Sequence, residues 1–292
     1  MIDYDPIVAG GPGRLGESPI WCPRAGRLWW VDVVQARLQS YDPRTGRHDV
    51  RQLPAGSLGC CALRAGEGLA LALDRTLQAF DPATGALAML AAFEPTMPLN
   101  RLNDGKIDRR GRFWIGTMNG QAFEPDGSLY RVGADLTIER QFNDVIIPNS
   151  IAFSPDDRVF YFSDTRRTKI WAFDFEIDEG RISNRRVFAD ASGHPGRPDG
   201  STVDAEGFLW NAEIMGGRLV RYAPDGRIDR TVELPFDRPT SCAFGGDGLG
   251  ILYVTSMSVG LDADQLARAP LSGGLIAIDV GVRGLPEPRF AG

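Results

Sequence analysis

The chain has 292 residues, 43% of them hydrophobic and 24% charged, enough apolar material for a large core under an ordinary soluble surface. Thirty-two Lys and Arg against 38 Asp and Glu leave a formal charge of −6, which argues against the basic surface that nucleic acids and anionic membranes select. No apolar run approaches the ~20 residues that span a bilayer, and residues 1–6 lack the basic and then apolar character of a secretion signal, so a cytoplasmic protein is expected.

Taken in chain order, one unit recurs. A Gly- or Asp-rich turn precedes a short aromatic and β-branched run at residues 24–32, 109–116, 156–164, 205–211 and 248–255, and a weaker copy at 65–72 fills the gap after the first. Six copies at a spacing of roughly 40 to 50 residues match the period of propeller blades. A second hairpin signal follows most copies, as at Leu38–Pro43, Leu77–Pro82 and Leu219–Pro224. Its turns, such as Asp42-Pro43-Arg44-Thr45-Gly46, work because Pro presets φ, Asp caps locally and Gly accepts positive φ. Only residues 262–268 look helical, over about one turn. The expected fold is all-β: a six-bladed propeller of four-stranded antiparallel blades around a central channel, forming one domain over residues 1–292.

Cys22, Cys60, Cys61 and Cys242 form no CxxC pair, and sparse unpatterned cysteines read as reduced, buried small hydrophobes. The two histidines are isolated: His48 follows an exposed turn and His194 sits in a Gly/Pro loop. No zinc site or Ser-His-Asp set can be built from them, so carboxylates or a metal must carry any proton chemistry.

In a propeller the innermost strand of each blade lines the channel, where polar groups are expensive unless paired or bound. Four segments break the apolar pattern there: Glu17 before Pro19-Ile20-Trp21, Asn103-Asp104 in residues 101–108, Asn149 in residues 146–153, and Asp199 in residues 197–204. All four precede an aromatic run by a similar interval, so the repeat brings them into one ring. Such oxygen donors suit Ca²⁺, Mg²⁺ or Mn²⁺. Asp32, Asp108, Asp164 and Asp204 instead read as turn caps. The tryptophans at 29, 30, 114, 171 and 210 read as inter-blade packing, with Trp21 also able to pack beneath Glu17.

These segments resemble the gluconolactonase and regucalcin (senescence marker protein) family. The carriers are Gly16-Glu17-Ser18-Pro19-Ile20-Trp21, residues 101–108 with Gly116-Thr117-Met118, residues 182–186, Pro198-Asp199-Gly200 with Leu209-Trp210, and residues 240–246. The resemblance implies one divalent cation in the channel (Ca²⁺, Zn²⁺, Mn²⁺, Mg²⁺ or Fe²⁺), held by Glu17, Asn149 and Asp199. It implies substrate contacts from Arg101 and Asn103, Asp199 as general base, and hydrolysis of a small sugar lactone by a monomer or weak homo-oligomer. The lid after Met118 is shorter than in regucalcin-like members. Gln121 stands there in place of an acidic substrate-contacting residue and is taken as a substrate contact. A calcium-binding regulator without catalysis, and a phosphotriester or fluorophosphate hydrolase on the same site, are the competing readings.

Overall fold

The computed structural model describes residues 3–292. The strands form six separate four-stranded antiparallel sheets, arranged as the blades of a propeller. The inner strands, in blade order, are Gly16–Cys22, Leu58–Leu63, Asn100–Ile107, Pro148–Phe153, Arg197–Val203 and Pro239–Gly245. The six aromatic or aliphatic runs of the sequence are the second strands, for example Phe113–Asn119, Val159–Asp164 and Leu209–Ile214. They are almost continuously apolar because both faces of a blade are covered by neighbouring blades.

Blade 6 closes the ring in a way the repeat does not reveal. Its outer strand is Asp5–Val8, paired antiparallel with Leu275–Asp279, so the two ends of the chain are joined in one sheet. The last residues run across the opposite face. Ala205 donates to the Arg283 carbonyl, Phe290 donates to Leu63 O, and the Glu287 carboxylate reaches the Lys106 ammonium at 2.6 Å. This segment floors the channel.

Aromatic rings fill the space between blades. Trp114 of blade 3 meets Phe153, Phe160 and Phe175 of blade 4 with centroids 5.0–6.0 Å apart, and Trp210 of blade 5 meets Phe244 of blade 6. Both indoles are wholly buried, and burying a ring of this size contributes about 2–3 kcal/mol. Trp21 does not lie beneath Glu17. It stacks on Tyr253 with Trp30 and Leu28 nearby, because the strand changes register between Glu17 and Ile20 and turns the ring toward blade 6. All four cysteines are buried and free. Residues 263–268 form a short helix capped by Asp262.

The four aspartates at the blade turns do cap, accepting backbone N–H groups of the following turns. Two of them do more. Asp108 Oδ2 and Asp204 Oδ2 each accept the indole N–H six residues on, from Trp114 and Trp210, at 2.9 Å. Asp204 also binds Arg221, which bridges to Glu206 and Asp229 and lies over the Phe208 ring. Removing Asp204, which is completely buried, leaves Arg221 and the Trp210 N–H without their partner, a loss of about 3–5 kcal/mol. Urea unfolding of Asp204→Ala should therefore show a strongly lowered midpoint, while Asp225→Ala, on an exposed turn, should leave it unmoved.

Candidate functional site

The inner strands enter the channel with the same local irregularity. Each shifts register near its start: between Glu17 and Ile20, Leu58 and Cys61, Leu102 and Gly105, Asn149 and Ala152, Pro198 and Ser201, and Pro239 and Ser241. A bulge bends the strand and re-aims the side chain beside it. Glu17 and Asn149 immediately precede such a shift, and Asp199 lies inside the one that begins after Pro198. Ser18 (φ 50°) and Ser150 (φ 55°), directly after Glu17 and Asn149, occupy the left-handed region, a strain that persists only where surroundings enforce it. After Asp199 comes Gly200, where a Cβ would lie 2.3 Å from Ser241 Oγ of blade 6; only glycine allows this approach.

The ring anticipated from the repeat does assemble. Asn103 Nδ2 donates to Pro148 O at 2.9 Å and approaches Asn149 Oδ1 at 3.4 Å. Asn149 Nδ2 donates to Thr165 Oγ1 (2.8 Å), and that hydroxyl donates to Pro198 O (2.8 Å). With its amide nitrogen held by Thr165, Asn149 is oriented to present its oxygen. Arg101 Nη1 donates to Asn103 Oδ1 at 2.7 Å and to Leu102 O at 3.0 Å. Glu17 and Asp199 lie near enough for each carboxyl to perturb the other.

The electrostatics are those of charge without compensation. Burial pushes the Glu17 carboxyl up to about 8, the Asp104 charge adds to the rise, and Arg101 only partly offsets it. Asp199 is pushed well above the carboxylate range, first by burial and then by Glu17 and Asp104. Asp104 is raised by burial, although Ile151 N–H and Gly105 N–H bond to it. Arg101 is lowered to about 10 by burial, against the pull of Glu17. Glu17, Arg101 and Asp104 keep some exposed surface but are crowded by protein, so their charged forms are poorly solvated. Asp199 Oδ1 is buried with no hydrogen-bond partner, which is rare enough to call for an explanation.

Those observations fit a divalent cation. Glu17, Asn149 and Asp199 could supply three oxygen donors, two of them anionic, and no cluster of three His, Cys, Asp or Glu side chains is available among the described residues to make a different site. A groove of about 690 Å³ lies between blades 1 and 2, toward the strand ends away from Glu17. It contains none of the ring, and its floor is tied up in the pairs Arg27–Asp49 and Arg44–Asp42.

Gln121 is exposed on the loop following blade 3's second strand, its backbone N–H donating to Asn119 Oδ1. The preceding Gly120 packs toward the Arg101 stem, which would lie 3.6 Å from a Cβ there, and the Gln121 side chain joins none of the ring's bonds. Behind Asp199 stands a network the sequence reading passed over. Ser150 Oγ donates to Asp199 O at 2.5 Å and accepts from Ser163 and Ser201, and Asn211 Nδ2 donates to Ser150 and to Asp199 O. Asn211 interrupts the apolar run Phe208-Leu209-Trp210 much as Asn149 interrupts its own strand; the serines carry no such signal. His194 is not loose: its Nδ1 meets the wholly buried Glu213, which also accepts from Arg218 Nε at 2.8 Å.

Fold and site together define a six-bladed propeller with an acidic, amide-lined polar ring at one mouth of its channel. The chain belongs to the family described as the SMP-30/Gluconolactonase/LRE-like region, which matches residues 15–258. It is 39% identical to 6-deoxy-6-sulfogluconolactonase of Pseudomonas putida, over 98% of each chain. It is also 39% identical to L-arabinolactonase of Azospirillum brasilense, over 98% of this chain and 95% of that one. Among solved structures, the calcium-binding protein regucalcin from Agrobacterium tumefaciens superposes with a TM-score of 0.94 at 34% identity, over 99% of this chain and 97% of that one. No helix among the described residues is long and apolar enough to cross a membrane.

A carboxyl raised in the folded state stabilises the fold only at low pH. For Glu17 the cost accrues as pH climbs from 4.5 to about 8, because the folded protein must then ionise a buried group that the unfolded chain ionises freely. Chelated wild-type protein should lose thermal stability across that window. Glu17→Gln should flatten the profile and raise the melting temperature at pH 8 by several degrees, given about 2–4 °C per kcal/mol. A constant offset between the two proteins from pH 5 to 8 would contradict this origin.

Proposed function

We propose that the channel site hydrolyses a sugar lactone to the open-chain hydroxy acid. The observation that carries this reading is the buried, unpartnered Asp199 oxygen beside Glu17 and Asn149, together with the lactonases named among the relatives. Glu17, Asn149 and Asp199 are the residues that would hold a divalent cation. When bound, such an ion supplies charge compensation for the carboxyls and Lewis-acid polarisation of the lactone carbonyl.

The rest falls to the chain. Arg101 and Asn103, tied to each other at 2.7 Å, bind and orient the sugar hydroxyls, with Gln121 at the rim. Fixing the ring ester in this way lowers the entropic part of the barrier. Asp199 accepts a proton from water as its oxygen attacks the carbonyl carbon. The ring C–O bond then breaks, and the proton passes to the departing ring oxygen, which becomes a hydroxyl. The Ser150–Asn211 network holds the Asp199 backbone in place, and the Glu287–Lys106 floor closes the channel from below.

A pH-stat screen of aldonolactones and a phosphotriester, with and without added divalent ions, tests this against its competitors. Lactone hydrolysis abolished by exhaustive chelation is expected. Asp199→Asn should lose about 10²–10⁴-fold in kcat while keeping the fold. Near-native turnover by Asp199→Asn would exclude it as the base. Turnover of the phosphotriester alone would move the site to the other electrophile, and ion binding without any turnover would leave a regulator.

A further inference from the structure

Trp29 holds the place in blade 1 that Trp114 and Trp210 hold in blades 3 and 5. The residue before each, Leu28, Phe113 or Leu209, pairs with the inner strand at Trp21, Ile107 or Val203. Trp114 and Trp210 are wholly buried, whereas Trp29 is only half-buried. Two departures from the repeat account for the difference. Trp114 packs on Phe153, Phe160 and Phe175 of blade 4. In blade 2 the ladder pair Leu63–Leu69 corresponds to Phe153–Phe160, and Phe80 corresponds to Phe173, so Pro82 stands where Phe175 does. Asp108 and Asp204, which follow Ile107 and Val203 and accept the two buried indole N–H groups, have Cys22 as their counterpart after Trp21. Three missing rings and a missing carboxylate leave an opening beside Trp29.

That opening is the groove of about 690 Å³ between blades 1 and 2, a size at which small-molecule pockets are common. Trp29, Leu63, Leu69, Pro82 and Cys22 all line it. Its border is cationic. Six arginines stand around it against two aspartates and one glutamate, in a chain of net charge −6. Arg27 and Arg47 share Asp49, and Arg44 takes Asp42. Arg51 and Arg289 have no ion-pair partner among the described residues. Arg51 lies 5.5 Å from the Phe80 ring centroid and donates to Pro82 O. The half-buried Arg289 donates only to Arg64 O and toward Cys22 Sγ. Guanidinium groups without counter-ions, set beside an apolar wall, favour an anion that also carries a flat ring.

We infer that this groove is a second ligand site and that it takes a flat aromatic anion. The ring fills the space left by the missing aromatic side chains, against Trp29, Leu63 and Leu69, and the carboxylate or phosphate meets Arg51 and Arg289. The groove shares no residue with Glu17, Asn149 and Asp199, so the inference stands independently of the lactonase reading.

Calorimetric titration of the whole protein with 1-naphthyl phosphate, 1-naphthoate, neutral 1-naphthol and inorganic phosphate tests this. One molecule per chain of at least one aromatic anion should bind, about tenfold or more tighter than naphthol or phosphate alone. The tighter of the ester and the carboxylate identifies the preferred anionic group. Trp29→Leu should weaken the aromatic anion about tenfold. Arg51→Gln, at an exposed position of an outer strand, should weaken it about three- to tenfold and leave naphthol unmoved; it keeps the test open should Trp29→Leu fail to fold, as a melting curve would reveal. Asp199→Asn should bind the probe with an unchanged Kd. No aromatic anion bound by wild type, naphthol bound as tightly as the anions, or an Arg51→Gln protein with undiminished affinity would overturn the inference. So would loss of the probe in Asp199→Asn, which would move the binding to the channel.

Discussion

Six inner strands converge on a channel whose carboxyls lie largely buried. Glu17 and Asp199 face one another there with Asp104 close behind, and two like charges in poor solvent repel by more than one adjacent Arg can offset. Much of the neighbouring architecture responds to this. The bulges turn the side chains inward, Thr165 fixes the Asn149 amide, and Ser150 with Asn211 anchors the Asp199 backbone. In the proposed reading a divalent cation would offset this repulsion, the usual relation between preorganised carboxylates and hard ions.

The fold was legible because its signals are local. A blade's second strand is covered on both faces, so it must be aromatic or aliphatic throughout, and its turn needs Gly or Asp; six such units announce themselves. The ring was legible for the opposite reason, since Asn149 and Glu17 are costly in a strand that should be apolar. What stayed hidden depends on distance or on weak signals. The pairing of Asp5–Val8 with Leu275–Asp279 joins the two ends of the chain, and nothing in either segment specifies the other. Ser150, Ser163 and Ser201 are unremarkable in sequence and become a network only when blades 4 and 5 meet. Trp21 moved from beneath Glu17 to Tyr253 because a one-residue register change redirects everything after it.

In the proposed reading the reacting groups lie at the bulges of the inner strands, where Glu17, Asn149 and Asp199 sit. The same scaffold can carry different substrate contacts, because function lives in the site and not in the fold.

The central claim is that Glu17, Asn149 and Asp199 together form one divalent cation site. Calorimetric titration of the metal-stripped protein with Ca²⁺, Mn²⁺ and Zn²⁺ tests it most directly. One ion per chain for wild type, and no binding for the Glu17→Gln, Asp199→Asn double variant that remains folded, is the predicted result. An undiminished stoichiometry in the double variant, or no ion bound by wild type, would contradict the account.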